Sequence, residues 1–506
     1  MLTKVQSCSI NGLKVDSVDV EVDISSGLPV THIVGLPDLE IKESKERVRS
    51  ALNNSGYKFP LGRIIINLAP ADTKKTGTHF DLPIAIGILS TQNRVQPEHL
   101  HSTVLLGELS LDGKLQKIRG VLPMLLEMKS KGYTKAIIPE SNLYEARHVN
   151  DMNCVGLESL KEVVDYLNGG LIANQTKIIA DFSSDTKTDT LDFEDLRGQF
   201  NVKRGMEIAA AGGHNLLMIG PPGSGKTMAA KRLPSILPKL TFDEAIEITK
   251  IYSITGLLGD NSGLVTTRPF RSPHHTISNI ALTGGGKNPK PGEVSLSHLG
   301  VLFLDELPEF SKSAIEVLRQ PIEDGEISIS RVNGSYTYPS KFMLVASMNP
   351  CPCGYSTAEN SNECICSPRE IHNYTRKISG PMLDRIDIIV EAAPVEYNDL
   401  TGDEKTETSA SIKKRVEKAR EIQNDRLSKQ KITCNAQMTP SQVKQFCKLD
   451  KEGKELLELI FKKMKLSARG YNRVLKVART IADLESSKEI TTTHLAEALQ
   501  YRKREL

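Results

Sequence analysis

Eight consecutive residues carry the clearest chemistry in the chain: Gly220, Pro221, Pro222, Gly223, Ser224, Gly225, Lys226 and Thr227. They match the spacing G-x-x-x-x-G-K-[ST] in full. Glycines at these places let the backbone curl until its N–H groups face inward, at the positive end of a following helix. Such a cradle suits an anion with several charged oxygens. Lys226 is then placed to reach the β and γ phosphates of a nucleotide, and the Thr227 hydroxyl to ligate magnesium. A bare glycine turn is the competing reading. It is opposed by the flanks, an apolar strand over Asn215–Ile219 and a helix pattern over Thr227–Leu237.

A triphosphate site needs carboxylates on a second strand. Val301-Leu-Phe-Leu304 is apolar enough to be buried, and Asp305 and Glu306 emerge at its end. Asp305 is expected to hold magnesium, mainly through water, and Glu306 to polarise an attacking water as general base. An acidic pair alone is usually a solvated surface pair; the buried strand and the upstream phosphate loop change its meaning. A further apolar strand, Lys341–Asn349, ends in an amide suited to orient that water. Taken alone, Asn349 reads equally as a strand-end turn residue. The order of phosphate loop, acid strand and amide strand resembles that of AAA+ ATPases.

Four of the eight cysteines crowd into one stretch, Cys351-Pro-Cys353 and Cys364-Ile-Cys366. Four thiolates could close a tetrahedral zinc site with no open position for chemistry. C-x-C is less typical of zinc than C-x-x-C, so a structural zinc and four reduced thiols both stand. His372 and the pair His274 and His275 are weaker ligand candidates; local structure or a subunit contact is the plainer role for the pair. The crowding also argues against a disulfide framework, so a reducing, cytoplasmic setting is expected.

The elements that must position these groups follow from composition and periodicity. At 506 residues the chain predicts two or three domains, with 39% hydrophobic and 25% charged residues. A net charge of +3 confines any nucleic-acid surface to a local patch. No apolar run approaches a membrane span and no signal-peptide pattern opens the chain. Ser17–Ile24 alternates like a half-buried strand, Pro37–Asn53 has helical spacing, Ile64–Leu68 and Lys135–Pro139 read as strands, and Leu82–Leu89 starts a buried helix. The fold class is α/β. A mixed domain over 1–170, a polar linker over 171–190, a nucleotide core over 191–400 and a helical domain over 401–506 are expected. The last reads as helices at 410–428, 440–448, 451–465, 469–485 and 492–502, with Thr439 and Thr492 among the starts.

The longer motifs RPFRSPHHTIS (268–278), GEVSLSHLGVLFLDELPEF (292–310), LRQPIEDGEISISR (318–331), MNPCPCGY (348–355) and SGPMLDRIDI (379–388) resemble the magnesium-chelatase-like AAA+ family, in its YifB/ComM branch, over nearly the whole chain. The resemblance implies an AAA+ core with a C-terminal helical lid, and ATP and Mg2+ as ligands. It implies that Arg385 is an arginine finger offered to a neighbouring subunit's γ-phosphate, a task the planar guanidinium suits. Without it, Arg385 reads as a structural partner of Asp384 or Asp387. Arg469 matches the second sensor arginine of the lid, with Arg473 one turn away as the alternative.

The first domain resembles the Lon protease fold. Lys75-Thr-Gly-Thr-His79 lies where that family carries K-x-G-x-S, and GELSLDGKLQKIRGVL (107–122) where its catalytic lysine follows. Here His79 replaces the serine and Leu122 stands at the lysine position, so no peptidase activity is expected; His79 reads as a structural or surface residue.

Glu326–Pro339 alternates around Asn333-Gly334, a two-residue hairpin signal that the resemblance places in a ring pore, with Arg331 near its tip. A second insertion, Thr276–His298, is glycine-rich, and is expected to be a flexible loop exposing Lys287 and Lys290. Basic pore elements suit a phosphate backbone; solvated loops are the plainer alternative. The resemblance implies a homo-oligomeric, hexameric ring acting on single-stranded or branched DNA. Branch migration in recombination and natural transformation is its expected work. A magnesium-chelatase-like motor that remodels a partner protein, and a non-enzymatic scaffold, are the competing classes.

Overall fold

The computed structural model describes residues 2–100, 102–171, 191–259, 263–286, 289–331, 334–356, 363–394, 406–430, 432–463 and 467–502. The expected linker beyond residue 171, the lysine at 287, the turn asparagine at 333 and the start of the expected helical domain up to residue 405 lie outside them. The chain forms two compact units. One comprises 1–184 with Phe242–Thr266 and Ser330–Tyr338; the other comprises Asp185–Thr241, Thr267–Ile329 and Pro339–Leu506. Two pieces of the stretch expected as a continuous core, 191–400, therefore pack with the first unit.

The first unit is built on a seven-stranded mixed sheet in the order Val30–Val34, Arg63–Ala69, Lys14–Ser25, Leu2–Asn11, Thr103–Leu105, Lys135–Pro139, Asn153–Leu157. Leu2–Asn11 and Lys14–Ser25 form a hairpin, and Lys14–Ser25 also runs antiparallel to Arg63–Ala69. The alternation of Lys14–Ser25 buries Val18, Val20 and Val22 on one face, while Val15, at odd spacing from them, joins a separate apolar cluster. Helix Asp81–Thr91 has apolar residues all round and is buried over nearly its full length, as a central core helix must be. The excised piece Phe242–Thr255 is a helix that packs on helix Val121–Ser130, where Ile246 meets that unit's apolar core.

The second unit is a five-stranded parallel sheet in the order Phe270–Arg271, Val301–Leu304, Met343–Met348, Leu216–Ile219, Ile388–Glu391. The strands Val301–Leu304, Met343–Met348 and Leu216–Ile219 are buried on both faces, which explains their unbroken apolar runs. Asn215 ties the phosphate-loop strand to its neighbours: its Oδ1 accepts from Leu344 N–H at 2.8 Å, and its carbonyl accepts from Asp387 and Ile388 N–H at 3.0 Å each.

Helices Ser409–Leu427, Pro440–Phe446, Lys451–Lys463, Ala468–Leu484 and Thr492–Gln500 follow in the same unit. Ile412, Val416, Val477 and Ile481 join the apolar core that also holds Leu216 and Val345. Thr439 caps its helix in a reciprocal pair with Gln442. The expected start at Thr492 holds: Thr492 is the first helical residue, and Thr491 before it is the cap, its N–H donating to His494 Nδ1 at 3.0 Å.

The glycine-rich insertion differs from the loose loop expected of it. Its described residues form helix Asn279–Thr283, an antiparallel pairing of Gly284–Gly285 with Lys290–Pro291, and helix Glu293–Leu296. Here glycine serves close packing: a Cβ on Gly292 would lie 2.3 Å from the Gly284 nitrogen.

Candidate nucleotide site

The sheet order decides the site. Met343–Met348 lies between the phosphate-loop strand and the acid strand, in register with both: Ile219 opposite Met348, and Leu304 opposite Ala346. The residues just past these strand ends therefore converge, as ligand-binding groups do at the carboxyl ends of open parallel sheets.

The phosphate loop leaves its strand at Gly220 and enters helix Lys226–Ile236. Gly223 and Gly225 have φ of +77° and +81°, a backbone region glycine enters without strain. Their missing side chains face open space, with no atom within 4 Å of where a Cβ would stand. Lys226 Nζ donates to the carbonyls of Gly220 and Pro221 at 2.8 Å each, and approaches Ser224 Oγ at 3.3 Å and Asn349 Oδ1 at 3.4 Å. Burial holds its ammonium below the ordinary lysine value, opposed by the charges of Asp305 and Glu306. The amine thus folds back on its own loop, with both carboxylates and the Asn349 amide close by.

Thr227 Oγ1 donates to Asp305 Oδ2 at 2.7 Å, and Ser347 Oγ donates to Asp305 Oδ1. A threonine hydroxyl and a carboxylate face to face are hard oxygen donors. They fit a magnesium ion that keeps several waters; bound there, the ion would neutralise phosphate charge. Glu306 is held differently. Its φ is +53°, an uncommon conformation for a non-glycine residue, which costs roughly 1–3 kcal/mol where it persists. Its N–H is pinned by Asp305 Oδ1 at 3.1 Å and Ser347 Oγ at 3.3 Å. Its carboxylate is 57% exposed, with Oε2 3.8 Å from His275 Nδ1. The His275 ring packs at a tilt against His274, centroids 4.1 Å apart, and meets Phe310 edge-on.

Sequence reasoning named Asn349 and passed over Ser347. The signal was present, since residues two apart on a strand share a face. The placement of His275 beside Glu306 had no local signal.

The remaining candidates lie in several places. Arg385 is 5% exposed; its guanidinium donates to the Pro381 carbonyl at 2.6 Å and pairs with Glu323 at 2.7 Å. Neither Asp384 nor Asp387, the structural partners weighed from sequence, is the one it meets. Glu323 also meets Arg469 at 3.1 Å, and Arg469 is otherwise exposed. Arg473, half-buried, pairs instead with Asp387 at 3.1 Å. Burial opposes ionisation of Asp387, yet the His214 hydrogen bond and the charges of His214, Arg473 and Lys476 hold it down to about 2. Lys290 is exposed in its short pairing with Gly285, and Arg331 is exposed at the end of strand Glu326–Arg331.

Cys351, Cys353, Cys364 and Cys366 bring their sulfurs within 4.8 Å of one another. Among the described residues this is the one such cluster of potential metal ligands; His372, His274 and His275 are outside it.

In the first unit His79 is buried, with Nε2 2.7 Å from the Cys8 carbonyl. Burial holds it down to about 4, so the ring is neutral near pH 7. The surface alternative for this residue is thereby excluded. Lys75 is fully buried and donates to the carbonyls of Thr73, at 2.8 Å, and Pro70. Leu122 is a core residue whose N–H donates to Glu145 Oε1 at 2.7 Å.

A glycine loop on a parallel strand, a lysine folded into it and two acids on a nearby strand end define a phosphate-loop nucleotide-binding protein. Comparison with known proteins makes the class narrower. Residues 192–400 match the family model described as magnesium chelatase, subunit ChlI; residues 20–142 match subunit ChlI of Mg-chelatase; residues 406–502 match the C-terminal part of that subunit. The chain is 44% identical to competence protein ComM of Haemophilus influenzae, over 99% of this chain and 97% of that protein. It is 42% identical to the protein YifB of Escherichia coli, again over 99% of this chain and 97% of the relative. The magnesium-chelatase 38 kDa subunit of Rhodobacter capsulatus is 25% identical over 31% of this chain and 50% of that subunit. The chain belongs to the YifB/ComM family of magnesium-chelatase-like AAA+ ATPases. That family implies ATP and Mg2+ as the ligands of the site. No helix among the described residues is long and apolar enough to cross a membrane.

Proposed function

We propose that the protein is an ATP-hydrolysing ring motor that acts on DNA as a branch-migration helicase in recombination, within the cytoplasm. The observation that carries the reading is the convergence of Lys226, Thr227, Asp305, Glu306 and Asn349 around one open glycine cradle. Gly220 to Thr227 bind the phosphates, Thr227 and Asp305 hold hydrated magnesium, and Glu306 takes a proton from the attacking water while Asn349 orients it. Asp305 is held by Thr227 and Ser347 while the Glu306 carboxylate is exposed beside His275, which fits the two acids to different tasks.

Arg385 acts in trans on a neighbouring subunit's nucleotide, which requires a ring, in this reading a hexamer. In a single chain it is buried against Glu323, so assembly must draw it away from that partner. Glu323 also holds Arg469, the lid sensor of this reading, so one carboxylate restrains both arginines until nucleotide and neighbour are in place. The C-terminal helices act as the lid. The domains divide at 1–170, 171–190, 191–400 and 401–506, with Phe242–Thr266 and Ser330–Tyr338 as excursions from the core. The Lon-like unit is without peptidase activity, since His79 and Leu122 supply neither nucleophile nor base. Lys287, Lys290 and Arg331 contact the DNA backbone. The name of the Haemophilus relative, competence protein ComM, supports a place in natural transformation.

ATP turnover measured with and without forked or four-way DNA tests this. Stimulation by DNA, weakening steeply as salt rises, is expected. Stimulation solely by a porphyrin-pathway protein would establish the chelatase-like alternative, which the Rhodobacter relative keeps open.

A further inference from the structure

We propose that Cys351, Cys353, Cys364 and Cys366 bind one structural zinc ion, and that this zinc knot braces the phosphate loop. The site stands on side-chain geometry; its bracing role rests on reading residues 220–227 as the nucleotide loop.

The sulfurs are already gathered. Cys351 Sγ lies 3.3 Å from Cys353 Sγ and 3.8 Å from Cys364 Sγ, and Cys353 Sγ lies 3.5 Å from Cys364 Sγ. A tetrahedron with Zn–S bonds of about 2.3 Å sets sulfurs about 3.8 Å apart, whereas a disulfide needs about 2.05 Å. All four cysteines are free. Backbone amides point at the sulfurs: Gly354 N–H at Cys351 Sγ, 3.2 Å, and Cys353 N–H at Cys366 Sγ, 3.4 Å. Such donors stabilise thiolates and orient metal ligands. An all-sulfur tetrahedral set favours zinc over the hard cations that the nucleotide site takes.

The knot is attached to the nucleotide site at two points. Its first arm begins two residues after Asn349, so fixing Cys351 restrains the amide that approaches Lys226. Gly354, at φ +92°, lies against the phosphate loop: a Cβ there would stand 2.5 Å from Pro222 Cδ and 2.9 Å from its Cγ. Only a residue without a side chain can be so close. The second arm runs from Cys366 straight into Ser367, which caps helix Pro368–Thr375 through a reciprocal bond with Glu370. The ion would therefore tie that helix start, Asn349 just past strand Met343–Met348 and Pro222 of the phosphate loop into one rigid body.

The test uses the full chain. Metal content is measured by mass spectrometry, and hydrogen exchange is followed in the peptide covering residues 220–227. We expect one zinc per chain in the wild type and its loss in Cys364→Ser. Chelation of the wild type should raise exchange in the loop peptide about tenfold, and added zinc, but not magnesium, should restore it. Gly354→Ala keeps all four ligands and should keep the zinc while raising loop exchange. Purified protein whose four clustered cysteines all react as thiols and that carries no zinc, or that carries iron in its place, would overturn the metal assignment. Zinc removal or Gly354→Ala that leaves loop exchange unchanged would overturn the brace. ATP turnover measured alongside separates the two readings: a zinc-loaded protein with a protected 220–227 segment that hydrolyses no ATP sinks the nucleotide reading and leaves the zinc site and its contact with Pro222 standing.

Discussion

The two units carry closely similar chemical parts and use them differently. Each has a lysine folded onto backbone carbonyls, Lys226 in one and Lys75 in the other. Each has a threonine hydroxyl on a carboxylate, Thr227 on Asp305 and Thr78 on Glu108. In the nucleotide unit these groups stand past the ends of neighbouring parallel strands, beside glycines whose missing side chains face open space. In the N-terminal unit the lysine is instead turned into the core, and Thr78 and Glu108 are half-buried. Lys75 and His79 are buried and satisfied by carbonyls, and Asp81 is fully buried against Ser44, Arg47 and the Leu109 N–H. Residue types alone therefore do not make a site. A reactive group needs unfilled space in front of it and a partner it can exchange for substrate. A buried polar group already matched to backbone instead raises the specificity of the core.

The sharpest way to break this comparison is to neutralise one carboxylate in each unit. Glu306→Gln is expected to lower ATP turnover about a hundred- to ten-thousandfold while nucleotide binding persists, the range for losing a positioned general base. Glu108→Gln should leave turnover near wild type. Comparable losses in both variants, read in one steady-state assay with a fluorescent-nucleotide binding control, would erase the contrast.

The second test is pH. Burial holds His79 down to about 4 against an ordinary value of 6.5. At neutral pH the ring is uncharged in both the folded and the unfolded chain. As pH falls from about 6.5 towards 4, the unfolded chain takes up a proton that the folded one refuses, so stability declines through that window. The full effect is on the order of 3 kcal/mol. Calorimetric unfolding of His79→Leu should show a shallower acid slope than the wild type. An unchanged slope would mean that the ring is accessible and the first unit less closed than described.

The smallest expected effect is that of Ser347→Ala. It removes the hydroxyl shared by Asp305 and the Glu306 N–H. Loss of such a bond costs about 1–2 kcal/mol, or roughly tenfold in turnover. The magnesium requirement should rise with it, because the carboxylate is less well held. A magnesium titration that superimposes on the wild type would reduce Ser347 to a packing residue.

Much of this was legible along the chain. The phosphate loop, its strand and its helix follow from a spacing pattern whose partners are neighbours in sequence. The strand ending at Asp305 and Glu306 showed itself through an apolar run that only burial on two faces explains. The five C-terminal helices declared themselves by period and caps, with ends displaced by a residue or two. Other features had no local trace. Arg385 could be paired on paper with its neighbours Asp384 and Asp387, yet the carboxylate that reaches it is Glu323, brought there by packing. The helix Phe242–Thr255 follows the phosphate-loop helix in the chain and still packs with the N-terminal unit.

The amino-acid sequence by itself determined which groups exist and which short-range shapes they take: a glycine turn before a helix, acids after a buried strand, cysteines in two pairs. Those depend on torsions and hydrogen bonds a few residues long. The tertiary structure alone decided that Met343–Met348 lies between the phosphate-loop and acid strands. That placement sets Ser347 and Asn349 between Asp305 and Lys226 and brings the cysteine arm against Pro222. The physical reason is that strand order is fixed by burying whole apolar strands against distant partners, and no spacing pattern records which partner wins.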